Sequence, residues 1–240
     1  MRQEWTRRRF MKLGAAGSLA GWVGEQGADF QGERAAADEK SLRSSDGVNG
    51  QNEIPLPPPV QTGGAPITET LVRRKSTRSF APKNLRLDTI SNLLWAACGQ
   101  NRPDGRRTVP SPMNSQETSL YLIFEAGTYR YDAAGHRLVL IEKGDHRDLA
   151  GVQTYTRDAP MTILFVADLD RLTFSPEEDR RVFAAVDAGF IGQNVYLFAA
   201  AEGMAAVFRS SIDRKGIEER FHLPQNQFVF FAQSVGYPNV

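Results

Sequence analysis

Val182–Ala201 reads VFAAVDAGFIGQNVYLFAAA, inside a proline-free stretch running from Glu177 to Glu202. Wound as a helix, it carries apolar residues on nearly every face, the pattern of a helix buried all round. Asp187 and Asn194 are seven apart and share one face. Two roles fit them there: buried hydrogen bonding, or lining a seam between two copies of the chain. Such a helix needs covering layers, and the flanking sequence supplies them. Upstream, Met161–Ala167 (MTILFVA) is a continuous apolar run suited to a buried strand. Downstream come a short strand at Ala205–Phe208, a helix at Asp213–Phe221 and a strand at Gln227–Ser234. Leu120–Ala126 and Tyr129–Asp132 read as strands around Gly127, and Arg137–Ile141 follows a turn at Ala134-Gly135. Asp88–Ala97 places Ile90, Leu93, Leu94 and Ala97 at amphipathic-helix spacing. Ile67–Lys75 fits a first helix after Pro66, and Asn101–Asn114 is a Pro-, Gly- and polar-rich loop. Short strands mixed with several helices, one of them central, indicate an α+β fold rather than a repeating βαβ array.

Composition narrows the function. The 240 residues carry a formal charge of +1 with 24% charged residues. Near-balanced charge excludes a general nucleic-acid or membrane-surface binder, so any anion recognition is local. The single cysteine, Cys98, rules out an internal disulfide framework and lies in the apolar run LLWAAC, a core position. His136, His146 and His222 are far apart without metal-ligand spacing and read as surface or turn residues.

Thr6-Arg7-Arg8-Arg9-Phe10-Met11-Lys12 precedes an apolar run of 11 residues, Leu13–Val23. The run is too short to span a bilayer as an ordinary helix and suits a signal-peptide core. The order of residues looks like a twin-arginine export signal, with Ala35-Ala36-Ala37 as an A-x-A cleavage site. The expected organisation is therefore a signal over 1–37, a polar, Pro-rich linker over 38–65 and one folded domain over 66–240. The mature protein is expected outside the cytoplasm with no membrane span.

Residues 73–80 read RRKSTRSF, with Arg73, Arg74, Lys75 and Arg78 placing four cations in six positions. Arg74, Ser76 and Arg78 alternate, so an extended segment puts them on one side. Two forked guanidiniums around a hydroxyl make a phosphate cradle. The same residues also suit a solvated basic end of a helix. There is no G-x-G-x-x-G after a strand and no G-x-x-x-x-G-K-[ST], so neither a Rossmann nor a P-loop nucleotide site is supported.

RRKSTRSF after a short helix, PSPMNSQ at Pro110–Gln116 before a strand, Asp187–Met204 running into AAVFRSSID, and the final FVFFAQSVGYP stand in order. Together they resemble the FMN-dependent nitroreductase family, and its branch containing the thiazoline/oxazoline peptide dehydrogenases. The resemblance spans about 66–240 and implies a nitroreductase-like fold, an antiparallel-dominated central sheet flanked by helices, with a long buried helix. It implies FMN as cofactor, with Arg74 at the phosphate, Ser76 at the phosphate or ribityl chain, Arg78 at the pyrimidine end, and Lys75 acting through backbone or general charge. It implies a homodimer in which Ser111, Pro112 and Asn114 reach the flavin of the neighbouring subunit. Phe208, Arg209, Ser210 and Ser211 would lie against the ring. No residue is required as a nucleophile or metal ligand, and hydride passes through flavin N5 to or from a small molecule or peptide. The electron donor or acceptor is not implied; the alternative is a non-catalytic flavin- or ligand-binding protein retaining the fold. Tyr155 and Arg157 are further candidates to border the pocket. The sequence departs from the family where Arg209 replaces an apolar residue and Ser211 a glycine. It also stops at Val240 without the basic C-terminal extension of many relatives, which leaves Arg74 and Arg78 to carry more of the phosphate charge.

Overall fold

The computed structural model describes residues 52–239. The expected signal (1–37) and the first part of the expected linker lie outside the described residues.

Seven strands form one antiparallel sheet: β1 (Glu53–Pro55), β2 (Thr118–Phe124), β3 (Gly127–Asp132), β4 (Arg137–Lys143), β5 (Met161–Asp168), β6 (Ala205–Arg209) and β7 (Gln227–Gly236). Their spatial order is β1-β4-β3-β2-β5-β7-β6. Among the described residues five α-helices accompany it: α1 (Ile67–Arg73), α2 (Leu87–Cys98), α3 (Tyr155–Asp158), α4 (Glu177–Ala201) and α5 (Arg214–Arg220).

The central strands are buried on both faces, which is why MTILFVA reads as unbroken rather than alternating. Leu120 and Leu122 of β2 and Met161, Ile163 and Phe165 of β5 face a core shared with α2 and α4. Tyr121, Ile123, Leu164 and Val166 point the other way, to Ile217 and Phe221 of the α5 region. Ile90, Leu93, Leu94 and Ala97 of α2, the four positions picked out by helical spacing, are all fully buried.

Two expectations need correction. The segment expected as linker joins the domain at its C-terminal end. β1 pairs with β4, Ile54 and Leu56 enter the core, and Pro57 O accepts hydrogen bonds from Ser91 Oγ (2.5 Å) and His136 Nε2 (3.1 Å). Two large apolar residues two apart are enough to bury this otherwise polar stretch against an edge strand. The second correction concerns α4. Its buried face carries Ala184, Ala188, Ile191, Val195 and Ala199, but Val182, Val186 and Phe190 are 59%, 47% and 44% exposed. One chain covers only part of this helix. By length and composition α4 could cross a membrane, with a mean hydropathy of 1.3 over its most apolar window. Here it is the core helix, packed on α2 and the sheet.

Candidate active site

RRKSTRSF leaves α1 at Arg73 and turns extended at Arg74 (φ −56°, ψ 120°). It is then laid along the β6 edge: Thr77 N–H donates to Ala206 O at 2.9 Å, and Phe80 bridges to Pro238. Arg73 is occupied by Glu69 at 2.9 Å. No ion pair among the described residues involves Arg74, Lys75 or Arg78. Three cations therefore stand close in sequence without a carboxylate, and Ser76 and Arg78 are exposed.

Tyr196 of α4 ties this segment to the end of β6, and the sequence reading missed it. Its hydroxyl lies 2.8 Å from Ser76 Oγ and accepts the Phe208 N–H at 2.8 Å. The Arg74 guanidinium sits 5.4 Å from its ring centre. With a lone pair engaged by Phe208, the phenol is well placed to donate to Ser76, which leaves the serine proton for a ligand oxygen. The only signal in the sequence was a polar-tipped ring in an Ala/Leu/Phe run.

Phe208 packs against Phe165 and Phe231 at centroid distances of 5.1 and 4.9 Å. Gly192 permits this, because a Cβ there would come within 2.6 Å of the Phe208 ring. Arg209 follows strand alternation to the opposite face of the sheet and is buried. Its Nη1 donates to Ser234 Oγ (2.8 Å), its Nη2 to Ala150 O (2.6 Å), and its Nε has no partner. Burial pulls its basicity down to about 10. Its side chain is thus not beside Phe208 and Tyr196, and only its backbone remains as an expected contact. Ser211 Oγ is likewise engaged, by Gln153 Nε2 at 2.5 Å. Ser210 is exposed. Tyr155 packs with Phe80 and Val207 near β6, whereas Arg157 lines an outer cleft with Asp145, Arg147 and Asp148.

Ser111, Pro112 and Asn114 form a separate group, joined to RRKSTRSF by no hydrogen bond among the described residues. Pro112–Asn114 is one turn of 3-10 helix, and Met113, Asn114 and Gln116 have positive φ (51°, 56° and 49°). Gln116 N–H donates to Ser111 Oγ at 3.0 Å, and its side chain to Gly105 O and Asn114 Oδ1, both at 3.0 Å. Behind this loop is a small cavity of about 10 Å³ whose walls include Arg107, Ser111, Gln116, Glu117, Asp187 and Ile191.

Cys98 is buried and its thiol is pushed up to about 11 by burial, as a core cysteine should be. His136 accompanies a turn, bonded to Tyr131 OH at 2.9 Å, and His222 is also at a turn. His146, expected at the surface, is instead buried against Phe221, with burial and the nearby Arg220 lowering its proton affinity.

The nitroreductase family model matches residues 71–237. A Methanocaldococcus jannaschii protein assigned as a nitroreductase is 28% identical over 151 residues, 59% of this chain and 76% of that one. The NADPH-flavin oxidoreductase of Vibrio harveyi is 26% identical over 41% of this chain, which spans 44% of that protein. Among solved structures, one assigned as a nitroreductase from Ralstonia eutropha JMP134 superposes with a TM-score of 0.76 at 37% identity. That match covers 79% of this chain and 91% of the other. The Vibrio harveyi NADPH:FMN oxidoreductase, solved with NAD+, shares the fold at a TM-score of 0.54 and 21% identity over 72% of this chain and 69% of its own. With a matched fold, a family model spanning both RRKSTRSF and Phe208, and a relative at 37% identity, the chain belongs to the nitroreductase family.

Proposed function

We propose that this protein is an FMN-dependent oxidoreductase, exported by the twin-arginine route and working as a homodimer on a small molecule or peptide. The observation that carries the cofactor assignment is the donor set on the β6 edge. Arg74, Ser76 and Arg78 offer planar forks and a hydroxyl with no carboxylate to neutralise them, which suits a phosphate monoester. Lys75 adds charge. Tyr196 links that cradle to Phe208, so a ligand held there by its phosphate would extend toward the Phe208–Ser211 segment.

FMN, when bound, supplies hydride chemistry at N5. The protein's part is to bind, orient and tune. With FMN bound, backbone N–H groups after Phe208 would be the donors available to the part of the ring that gains negative charge. Arg209, buried on the far side of the strand, fixes the β6 end to Ala150 and Ser234 and keeps that backbone in place. Ser111, Pro112 and Asn114 come from the second copy in this reading, across a seam built on Val182, Val186 and Phe190. These are exposed in one chain at i, i+4 and i+8 on α4, a spacing that makes one apolar stripe.

The test is the visible spectrum of the protein lacking residues 1–37, beside Arg74→Ala/Arg78→Ala. Flavin bands at about 370 and 450 nm, lost in the double variant, are the expected result. A colourless protein that takes up no added FMN would sink the cofactor assignment. Flavin that no donor bleaches would leave a binder without turnover. For export, Arg7→Lys/Arg8→Lys is expected to hold the protein in the cytoplasm on cell fractionation.

A further inference from the structure

We propose that Asp187 of α4 and Glu117, just ahead of β2, hold one proton between their carboxyl groups, and that this proton fastens the Pro110–Gln116 loop to the middle of α4. Two acids distant in sequence line one small cavity, Asp187 at 4% exposed and Glu117 at 1%. No ion pair among the described residues includes either of them. Glu117 accepts from Ser115 Oγ at 2.7 Å and Thr118 Oγ1 at 3.2 Å. Asp187 Oδ2 has no donor at all. Two ionised carboxylates cannot both sit in such a place without a cation.

Arg107 is the other charged group lining the cavity. It does not resolve the conflict: its Nη1 donates to Thr118 O at 3.3 Å and its Nε is unpartnered. Cys98, raised to about 11 by burial and within reach of the Arg107 charge, stays a neutral thiol through the physiological range. Asn194, one face along α4, is committed to Ala96 O at 2.9 Å. A carboxylic acid on Asp187 donating to Glu117 satisfies the geometry. Burial first, then the hydrogen bond and charge of Glu117, push Asp187 up to about 8.

The loop so fastened depends on its surroundings. Met113, Asn114 and Gln116 are non-glycine residues held in the left-handed region. When the loop opens, Asp187 meets water and returns toward its ordinary 3.8. The closed form holds the proton more tightly, so closure is favoured at low pH. The opening constant rises by up to about tenfold per pH unit between the two values and levels off above the higher one. Ser111, Pro112 and Asn114 ride on this loop. Their service to a cofactor rests on the function proposed above, whereas the latch itself does not.

Hydrogen exchange by mass spectrometry on the full chain, from pH 5.5 to 9 and corrected for intrinsic rates, tests the latch. Protection across 108–118 in the wild type is expected to fall at least about tenfold up to pH 8 and then stay flat. Asp187→Asn, whose amide donates to Glu117 at any pH, is expected to keep that protection constant. Glu117→Gln does the same from the other partner and serves if the first variant fails to fold. A flat wild-type profile, or a fall that persists in the variants, overturns the proposal; if neither variant folds, the wild-type profile decides. FMN uptake followed by absorbance on the same samples separates the two readings, since absent flavin with an intact pH response leaves the latch standing.

Discussion

Tyr196 is the residue on which the geometry of the candidate site turns, because one hydroxyl serves two partners from distant segments. Tyr196→Phe keeps the ring under Arg74 but deprives the Phe208 N–H of its acceptor and Ser76 of its neighbour. Leaving a half-buried N–H unpaired costs about 1–3 kcal/mol, so a lowered denaturation midpoint is expected, together with weaker FMN uptake in a titration. An unchanged midpoint with unchanged uptake would show that the hydroxyl holds neither segment. Gly192 is the complementary case. Its missing side chain is the space that Phe208 fills, and Gly192→Ala forces a ring away from α4. Overpacking of this kind costs about 1–3 kcal/mol, measurable by chemical denaturation. Sequence alone exposed the cations of RRKSTRSF, since charge in a row is visible in any register. It did not expose Tyr196, whose role depends on two segments reaching it from 120 and 12 residues away.

At the level of elements, α4 binds the molecule together and also carries its exposed apolar stripe. Its inner face fills the core, and its outer stripe of Val182, Val186 and Phe190 is exposed. Val186→Glu/Phe190→Glu puts charge on that stripe without touching the buried face. A homodimer is expected to become a monomer by sedimentation or light scattering, with the monomer still folded by circular dichroism. A wild type that is already monomeric at micromolar concentration would remove the seam. The strands and α2 were legible because they follow period 2, an unbroken apolar run, or the 3.6 spacing of Ile90, Leu93, Leu94 and Ala97. The exposed face of α4 was not, because alanine, valine and phenylalanine look alike whether they meet the same chain or a second copy. β1 escaped for another reason. Only Ile54 and Leu56 mark it, and a composition average over 38–65 dilutes two residues to nothing. The direction of the Arg209 side chain was not legible because one residue of strand alternation decides which face of the sheet it enters, and the phase is fixed only by the pairing of β6 with β7.

For the whole molecule, the carboxylates divide by sign. Burial alone would raise Asp88, Asp132 and Asp145, but hydrogen bonds and charge from Arg86, from the Gly135 N–H and Arg137, and from Arg147 lower them. A depressed folded value contributes stability that is present above the unfolded value and lost as pH falls through the folded one. Asp187 runs the other way: its raised value contributes stability that is complete below 3.8 and gone once pH has risen through about 8. Denaturant midpoints measured across pH are therefore expected to fall on the acid side, and to decline again toward pH 8 in the wild type but not in Asp187→Asn. A decline of equal size in the variant would place its cause elsewhere. The sheet order has a practical consequence as well. β1 and β6 occupy opposite edges, so residue 53 and the cradle are separated by six strand spacings, about 29 Å across the sheet. An affinity handle, fluorophore or surface tether grafted just ahead of Glu53 would leave from the rim farthest from RRKSTRSF. The protein could then be immobilised or labelled there with its cradle still open to solution.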